Sequence, residues 1–236
     1  MVSSPIGIFG GTFDPIHFGH LRMAEEMAEA LDLAEVRIIP AGQPPHRDAP
    51  ATPAAHRLAM TRLAIAGNAR FRLDDREVRL ARASYTVDTL ADLRAELGHV
   101  LPIWLLMGAD AFLGLPAWKE WRRLFDLANI AVAYRPGYAL LQSDSLNAGL
   151  RQELGNRLVS EGGRGKGEVK NPEAPHPSPF ILPPSPAGSI RLIPITQLDI
   201  AATDIRARLQ HRQSVRYLMP DAVHNYIQAN ELYSPA

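Results

Sequence analysis

Residues 6 to 21 read IGIFGGTFDPIHFGHL, and the order of pieces in this stretch sets the architecture. Ile6-Gly7-Ile8-Phe9 is an apolar run with the length and composition of a buried strand. Gly10, Gly11 and Thr12 follow, then a turn at Phe13-Asp14-Pro15. From Phe18 the spacing becomes helical: Leu21, Ala24, Met27, Ala28 and Leu31 share one stripe, while Arg22, Glu25, Glu26 and Glu29 lie off it. A strand, a glycine loop and a helix in that order aim backbone N–H groups and a helix N-terminus at one spot, ready for phosphate. His17 and His20 are three apart, so both imidazoles sit over the first helical turn, beside the loop. An isolated HxxH more often marks surface or satisfied core histidines; directly after GGTFDP it reads as part of the anion site. Two histidines in a chain without cysteine make a poor zinc cage.

Working outward, 236 residues with 46% hydrophobic content support one substantial core. A formal charge of zero leaves no basic excess for DNA or RNA, so no nucleic-acid partner is expected. The absence of cysteine excludes disulfides and thiolate chemistry. No signal-peptide pattern opens the chain, and its apolar runs fall short of a membrane span. These readings predict a soluble cytoplasmic protein with no membrane partner, as a monomer or homodimer.

Along the chain, Val36-Arg37-Ile38-Ile39-Pro40 reads as a second strand, and its exit loop AGQPPHRDAPATP carries His46 and Arg47. Thr52-Pro53 reads as the N-cap and first position of a helix running to Gly67-Asn68. Phe71-Arg72-Leu73 is a weaker strand. SYTVDTL, from residue 84, opens a helix that Gly98 stops. Ile103-Trp104-Leu105-Leu106-Met107 is a clear strand ending at Gly108-Ala109-Asp110. A helix with Trp118, Trp121, Leu124 and Phe125 is predicted next, then a strand over Ile130-Ala133 and a helix over 143–161. The stretch 162–189 is rich in glycine, proline and serine and lacks periodicity, so it reads as a mobile insertion. A strand over 190–195 resumes, and Asp199 or Thr203 is a candidate cap for a helix bearing Arg206 and Arg208. Val223, Tyr226, Ile227 and Leu232 mark a terminal helix. Strands alternating with helices predict an α/β doubly wound parallel sheet, Rossmann-like, with a small C-terminal helical part, all in one domain, 1–236. The glycine loop, PPHR and GAD each follow a strand, so they can meet in one cleft at the C-terminal strand ends.

GGTFDPIHFGHL resembles the signature of the HxGH nucleotidyltransferases, and PPHR, SYTVDTL, GADAFLGLPAWKEW and TDIR in this order resemble the bacterial nicotinate-nucleotide adenylyltransferases. The likeness runs from residue 6 to about 135 and from about 190 onward. It implies transfer of the adenylyl group of ATP to nicotinate mononucleotide, giving deamido-NAD and pyrophosphate, with Mg²⁺ carried by the nucleotide phosphates. The acceptor's phosphate is itself the nucleophile, so positioning and charge stabilisation suffice and no covalent intermediate is needed.

The resemblance also implies roles. Gly10, Gly11 and Thr12 would hold nucleotide phosphates, and His17 and His20 would contact the triphosphate and stabilise the transition state. His46 and Arg47 would reach the phosphates from the other side, with Thr203 and Arg206 as a clamp at a helix start. Gly108 and Asp110 would meet the nucleotide, the carboxylate accepting from a ribose hydroxyl. Trp118 would stack on the nicotinate ring, and backbone N–H groups around Thr86 and Lys119 would favour its carboxylate over a carboxamide. Ala201 and Ala202 stand where many relatives have serine, which removes hydroxyl contacts worth about 1 kcal/mol each. Two rivals are a phosphopantetheine adenylyltransferase, which shares the glycine loop and HxGH, and a nucleotide sensor that has lost its chemistry.

Overall fold

The computed structural model describes residues 4–43, 50–80, 82–135, 146–159, 185–196 and 198–234. In chain order the elements are β1 (Ile6–Gly11), α1 (Phe18–Ala30), β2 (Glu35–Pro40), α2 (Ala54–Ile65), β3 (Phe71–Leu73), α3 (Arg76–Arg79), α4 (Thr86–Leu97) and β4 (Ile103–Gly108). There follow α5 (Ala109–Leu113), α6 (Leu124–Leu127), β5 (Asn129–Tyr134), α7 (Ala148–Arg157), β6 (Ile190–Pro194), α8 (Ala202–Gln210) and α9 (Asp221–Ala229).

The six strands form one parallel sheet in the order β3-β2-β1-β4-β5-β6. Both faces are covered, and the alternation of side chains shows it. On β4, Trp104 and Leu106 enter one core, while Ile103, Leu105 and Met107 enter the other; on β5, Ala131 and Ala133 oppose Ile130 and Val132. The first core also takes Met27 of α1, Met60 of α2, Ile205 of α8 and Val223 and Ile227 of α9, and the second takes Leu90 and Leu93 of α4, Leu124 of α6 and Leu150 of α7. Gly7 sits where a β-carbon would come within 2.7 Å of Leu33 Cδ1, so glycine permits the close packing there. The strand order reverses between β1 and β4, and a crevice opens beyond their C-terminal ends.

Several sequence expectations are corrected. No single helix spans Trp118 to Phe125: a 3₁₀ turn at Leu115–Ala117 precedes Trp118, which is extended, and another at Trp121–Arg123 leads into α6. Pro116 and the left-handed Glu120 (φ 47°) interrupt the helical path. α8 starts at Ala202 with Ala201 as its N-cap, so neither Asp199 nor Thr203 caps it. Likewise Pro53, not Thr52, is the N-cap of α2. The short α3 was not foreseen. α7 covers 148–157 of the predicted 143–161.

Of the stretch 162–189, residues up to 184 lie outside the described residues. Its end is tied to the core, contrary to a mobile reading of the whole segment. The Arg94 guanidinium donates to the Pro186 carbonyl (2.6 Å), Asn129 Nδ2 donates to that of Ser185 (2.6 Å), and Gly188 N donates to that of Ala128 (3.1 Å). Among the described residues no helix is long and apolar enough to cross a membrane.

Candidate active site

A cleft of about 1330 Å³ opens at the strand-order reversal. Gly10, Gly11, Thr12, His17, His20, Thr86, Gly108, Asp110, Trp118, Lys119, Thr203 and Arg206 all line it. His46 and Arg47 lie outside the described residues.

Gly10 and Gly11, expected in a loop, are the last two residues of β1, paired with Ile39 and Pro40 of β2, and Thr12 begins the turn. A β-carbon on Gly10 would come no nearer than 4.0 Å to another protein atom, the Ile39 carbonyl oxygen, so the space kept there is the cleft's own. His17 is the N-cap of α1, with extended backbone, and His20 lies in its first turn. Their rings stack with centroids 3.7 Å apart and planes 27° apart. A β-carbon on Gly19 would lie 3.0 Å from His17 Nδ1, so the glycine between the histidines is what lets the first ring lie flat there.

His20 Nδ1 accepts from the His17 backbone N–H at 3.3 Å. In the neutral ring this places the proton on Nε2. Burial pushes His17 down to about 4, and it pushes His20 well down too, with the His17 charge adding to the effect. Both rings are therefore neutral near pH 7 and offer N–H donors rather than full charges. His17 Nδ1 is buried and has no hydrogen-bond partner among the described residues. A buried polar nitrogen in that state costs free energy unless something meets it.

Beside the histidines, Arg206 on α8 donates through Nη1 to the Asp14 carbonyl at 2.7 Å, which ties α8 to the Phe13-Asp14-Pro15 turn. Thr203 occupies the first turn of α8, whose leading amides have no intrahelical acceptor.

At the other end, α4 begins at Thr86, with Tyr85 as N-cap. Lys119 Nζ pairs with both Asp88 carboxylate oxygens at 3.1 Å and sits 4.8 Å from the centre of the Tyr85 ring. Glu77 accepts from the Ser84 and Thr89 hydroxyls, each at 2.7 Å, which fastens α3 to the start of α4. Burial pushes the Glu77 carboxyl above the usual range, and the two hydroxyls work against that. Trp118 is half-buried, with one side packed on the second core and the rest on the cleft.

Sequence reading missed Asp14, Glu77 and Arg135 on the cleft wall, and Arg57 behind it. Arg57 is 1% exposed and donates to three carbonyls: Thr12 (2.7 Å), Gly42 (2.8 Å) and Thr52 (3.1 Å). It thereby joins the glycine loop to the loop after β2. Asp14 was visible inside the motif; Arg57 and Glu77 stand in helices whose local pattern gives no hint of these partners.

Comparison with known proteins adds a second kind of observation. The cytidylyltransferase-like family model matches residues 8–208. The chain is 49% identical, over 98% of its length and 99% of the relative's, to the "probable nicotinate-nucleotide adenylyltransferase" of Dechloromonas aromatica (strain RCB). A protein of the same name from Chromobacterium violaceum is 45% identical over 98% of this chain and 100% of its own. Among solved structures, the Plasmodium falciparum nicotinic acid mononucleotide adenylyltransferase complexed with NaAD aligns at a TM-score of 0.67, with 17% identity and 98% of both chains covered. The same protein complexed with APC aligns at 0.66 with 16% identity. At those identities the likeness is one of fold.

Proposed function

The chain belongs to the cytidylyltransferase-like family and, within it, to the nicotinate-nucleotide adenylyltransferases, and from that premise we propose how its cleft works. The reaction is transfer of the adenylyl group of ATP to nicotinate mononucleotide, giving deamido-NAD and pyrophosphate. A phosphate oxygen of the mononucleotide attacks the α-phosphorus of ATP, a new P–O bond forms, and the bond to the bridging oxygen breaks. The electron pair leaves with pyrophosphate, and no group on the chain becomes covalently bound.

The observation that carries this reading is the convergence of two unlike sets of groups in one cleft. One set is suited to polyphosphate: the Gly10-Gly11-Thr12 amides, the two neutral histidines, Thr203 and Arg206. The other suits an acidic aromatic ring: Trp118 for stacking, the leading α4 amides at Thr86, and Lys119. His20 donates through Nε2, and His17, whose Nδ1 is turned into the protein, offers its other ring edge to the phosphates. These donors are in place before charge builds on the leaving side, so little reorganisation is needed at the moment of reaction. Asp110 accepts from a ribose hydroxyl. His46 and Arg47 keep the phosphate-binding assignment that the family resemblance implies.

Mg²⁺ would be carried by the ATP phosphates rather than by the chain. Among the described residues no three of His, Asp or Glu are grouped to hold a metal ion, and both Asp14 oxygens already accept hydrogen bonds. This donor set suits an ion held by phosphates and water, which would neutralise charge on the departing pyrophosphate.

Pyrophosphate release measured with ATP-Mg²⁺ and each acceptor in turn tests the reading. Nicotinate mononucleotide is expected to turn over fastest, ahead of nicotinamide mononucleotide and 4′-phosphopantetheine. Faster turnover with 4′-phosphopantetheine would overturn the acceptor assignment.

A further inference from the structure

Asp14 is the point where four distant parts of the chain meet. It lies in the turn between the glycine loop and His17 and is 5% exposed. Its Oδ2 accepts from the Ala51 backbone N–H at 2.8 Å, at the end of the loop that follows β2. Its Oδ1 accepts from the Tyr233 hydroxyl at 2.6 Å, across 219 residues of sequence. Its carbonyl accepts from Arg206 of α8. A buried carboxylate needs such donors, because each one lost leaves charge in a poorly solvated place.

Tyr233 itself does not line the cleft and follows the last helix of the chain. Holding the tail does not require its hydroxyl. α9 is anchored by Val223 and Ile227 in the core and by the Tyr226 hydroxyl, 3.0 Å from His56 Nδ1, and Leu232 packs on the same core. The hydroxyl donates to Asp14 and also meets the Thr52 side chain, in the same loop as Ala51. Burial, then the bond to Asp14, pushes the phenol well above the usual tyrosine value, so it keeps its proton and stays a donor near neutral pH.

We propose that Tyr233 is a positioning residue for adenylyl transfer: through the Asp14 carboxylate it sets the turn that aims the glycine-loop amides and the His17 ring at the ATP phosphates. The inference rests on the reading of the cleft given above. Groups that act by alignment are sensitive to sub-ångström shifts, and a misplacement of about 1 Å can cost on the order of a hundredfold in rate. A turn with one of its tethers released should shift by less than that.

Tyr233→Phe keeps the ring packing and removes only the hydroxyl. Measured per active enzyme, kcat/KM for ATP is expected to fall about tenfold, while the KM for nicotinate mononucleotide stays within about twofold. Asp14→Asn is expected to fall further, and the double variant Asp14→Asn/Tyr233→Phe to be no worse than Asp14→Asn alone, because the two act as one unit. A Tyr233→Phe enzyme within twofold of wild type in kcat/KM for ATP, or losses that multiply in the double variant, would overturn the proposal. A purely structural tyrosine would lower the melting temperature and leave kcat/KM unchanged. The wild-type chain is the internal control. If it fails on nicotinate mononucleotide, the acceptor reading falls by itself, and the same twofold criterion on ATP affinity, measured by calorimetry with wild type and Tyr233→Phe, still decides the role of Tyr233.

Discussion

Gly19 leaves room for the His17 ring, since a β-carbon there would lie 3.0 Å from its Nδ1, and the two neutral imidazoles stack at the cleft. Replacing either by alanine is expected to lower kcat by roughly two orders of magnitude or more, the scale for preorganised donors to developing charge; unchanged pyrophosphate release in either variant would remove that histidine from the mechanism. The same burial has a cost in acid. With His17 held near 4 in the folded chain against 6.5 when unfolded, the unfolded state binds more protons between those values, so stability rises with pH across that window and is lost as pH falls through it. From this one group, urea unfolding at pH 5 should show stability lower by about 2 kcal/mol than at pH 7.5, and His17→Gln should lose that much less. An equal loss in both proteins would contradict the burial account. The histidine pair and the glycines were legible in the sequence because they are local: three residues of spacing on a known helix start. Asp14 was visible, but its partners were not, since Tyr233 stands 219 positions away.

At the scale of elements, the loops after β1 and β2 hold their shape through Arg57, a buried cation whose hydrogen bonds all go to backbone carbonyls. Burial works against its charge, and the nearby Asp14 carboxylate partly offsets this. Arg57→Met should leave three acceptors without their donor. At 1–3 kcal/mol for a stranded group, discounted for water that enters, the expected destabilisation is about 3 kcal/mol in urea unfolding, with a raised KM for ATP and an unaltered KM for the acceptor. A loss below about 1 kcal/mol would show that the loops hold without it. The α2 sequence gave no sign of this, because helical periodicity records which face is apolar and is silent on what a long polar side chain reaches. The stretch around Trp118 failed for another reason: the tryptophans and leucines have helical spacing, but Pro116 and the left-handed Glu120 divide the path. Proline was readable as a breaker; the strained backbone at a glutamate was not. That break leaves Trp118 extended and Lys119 in a turn at the cleft instead of committed to a helix face.

For the molecule as a whole, the strands were legible because burial on both faces yields near-continuous apolar runs, and glycines at the ends of β1 and β4 marked the reversal where the cleft lies. The composition of residues 162–189 suggested a segment without a packed core, yet its last residues are hydrogen-bonded to Arg94, Asn129 and Ala128. A deletion should therefore stop before Ser185. Removing 165–184 is expected to leave melting temperature and turnover nearly unchanged, whereas extending it through 188 should lower the melting temperature by several degrees; a collapse with the shorter deletion would show that the removed residues support the fold. The central claim concerns the whole cleft: two nucleotides react directly, with no adenylylated enzyme between them. The most direct test uses ATP carrying sulfur at the α-phosphorus in one stereochemical form, with nicotinate mononucleotide as acceptor and the product's phosphorus configuration read by NMR. One in-line displacement predicts inversion; retention would require two displacements through an enzyme-bound intermediate and would contradict the account.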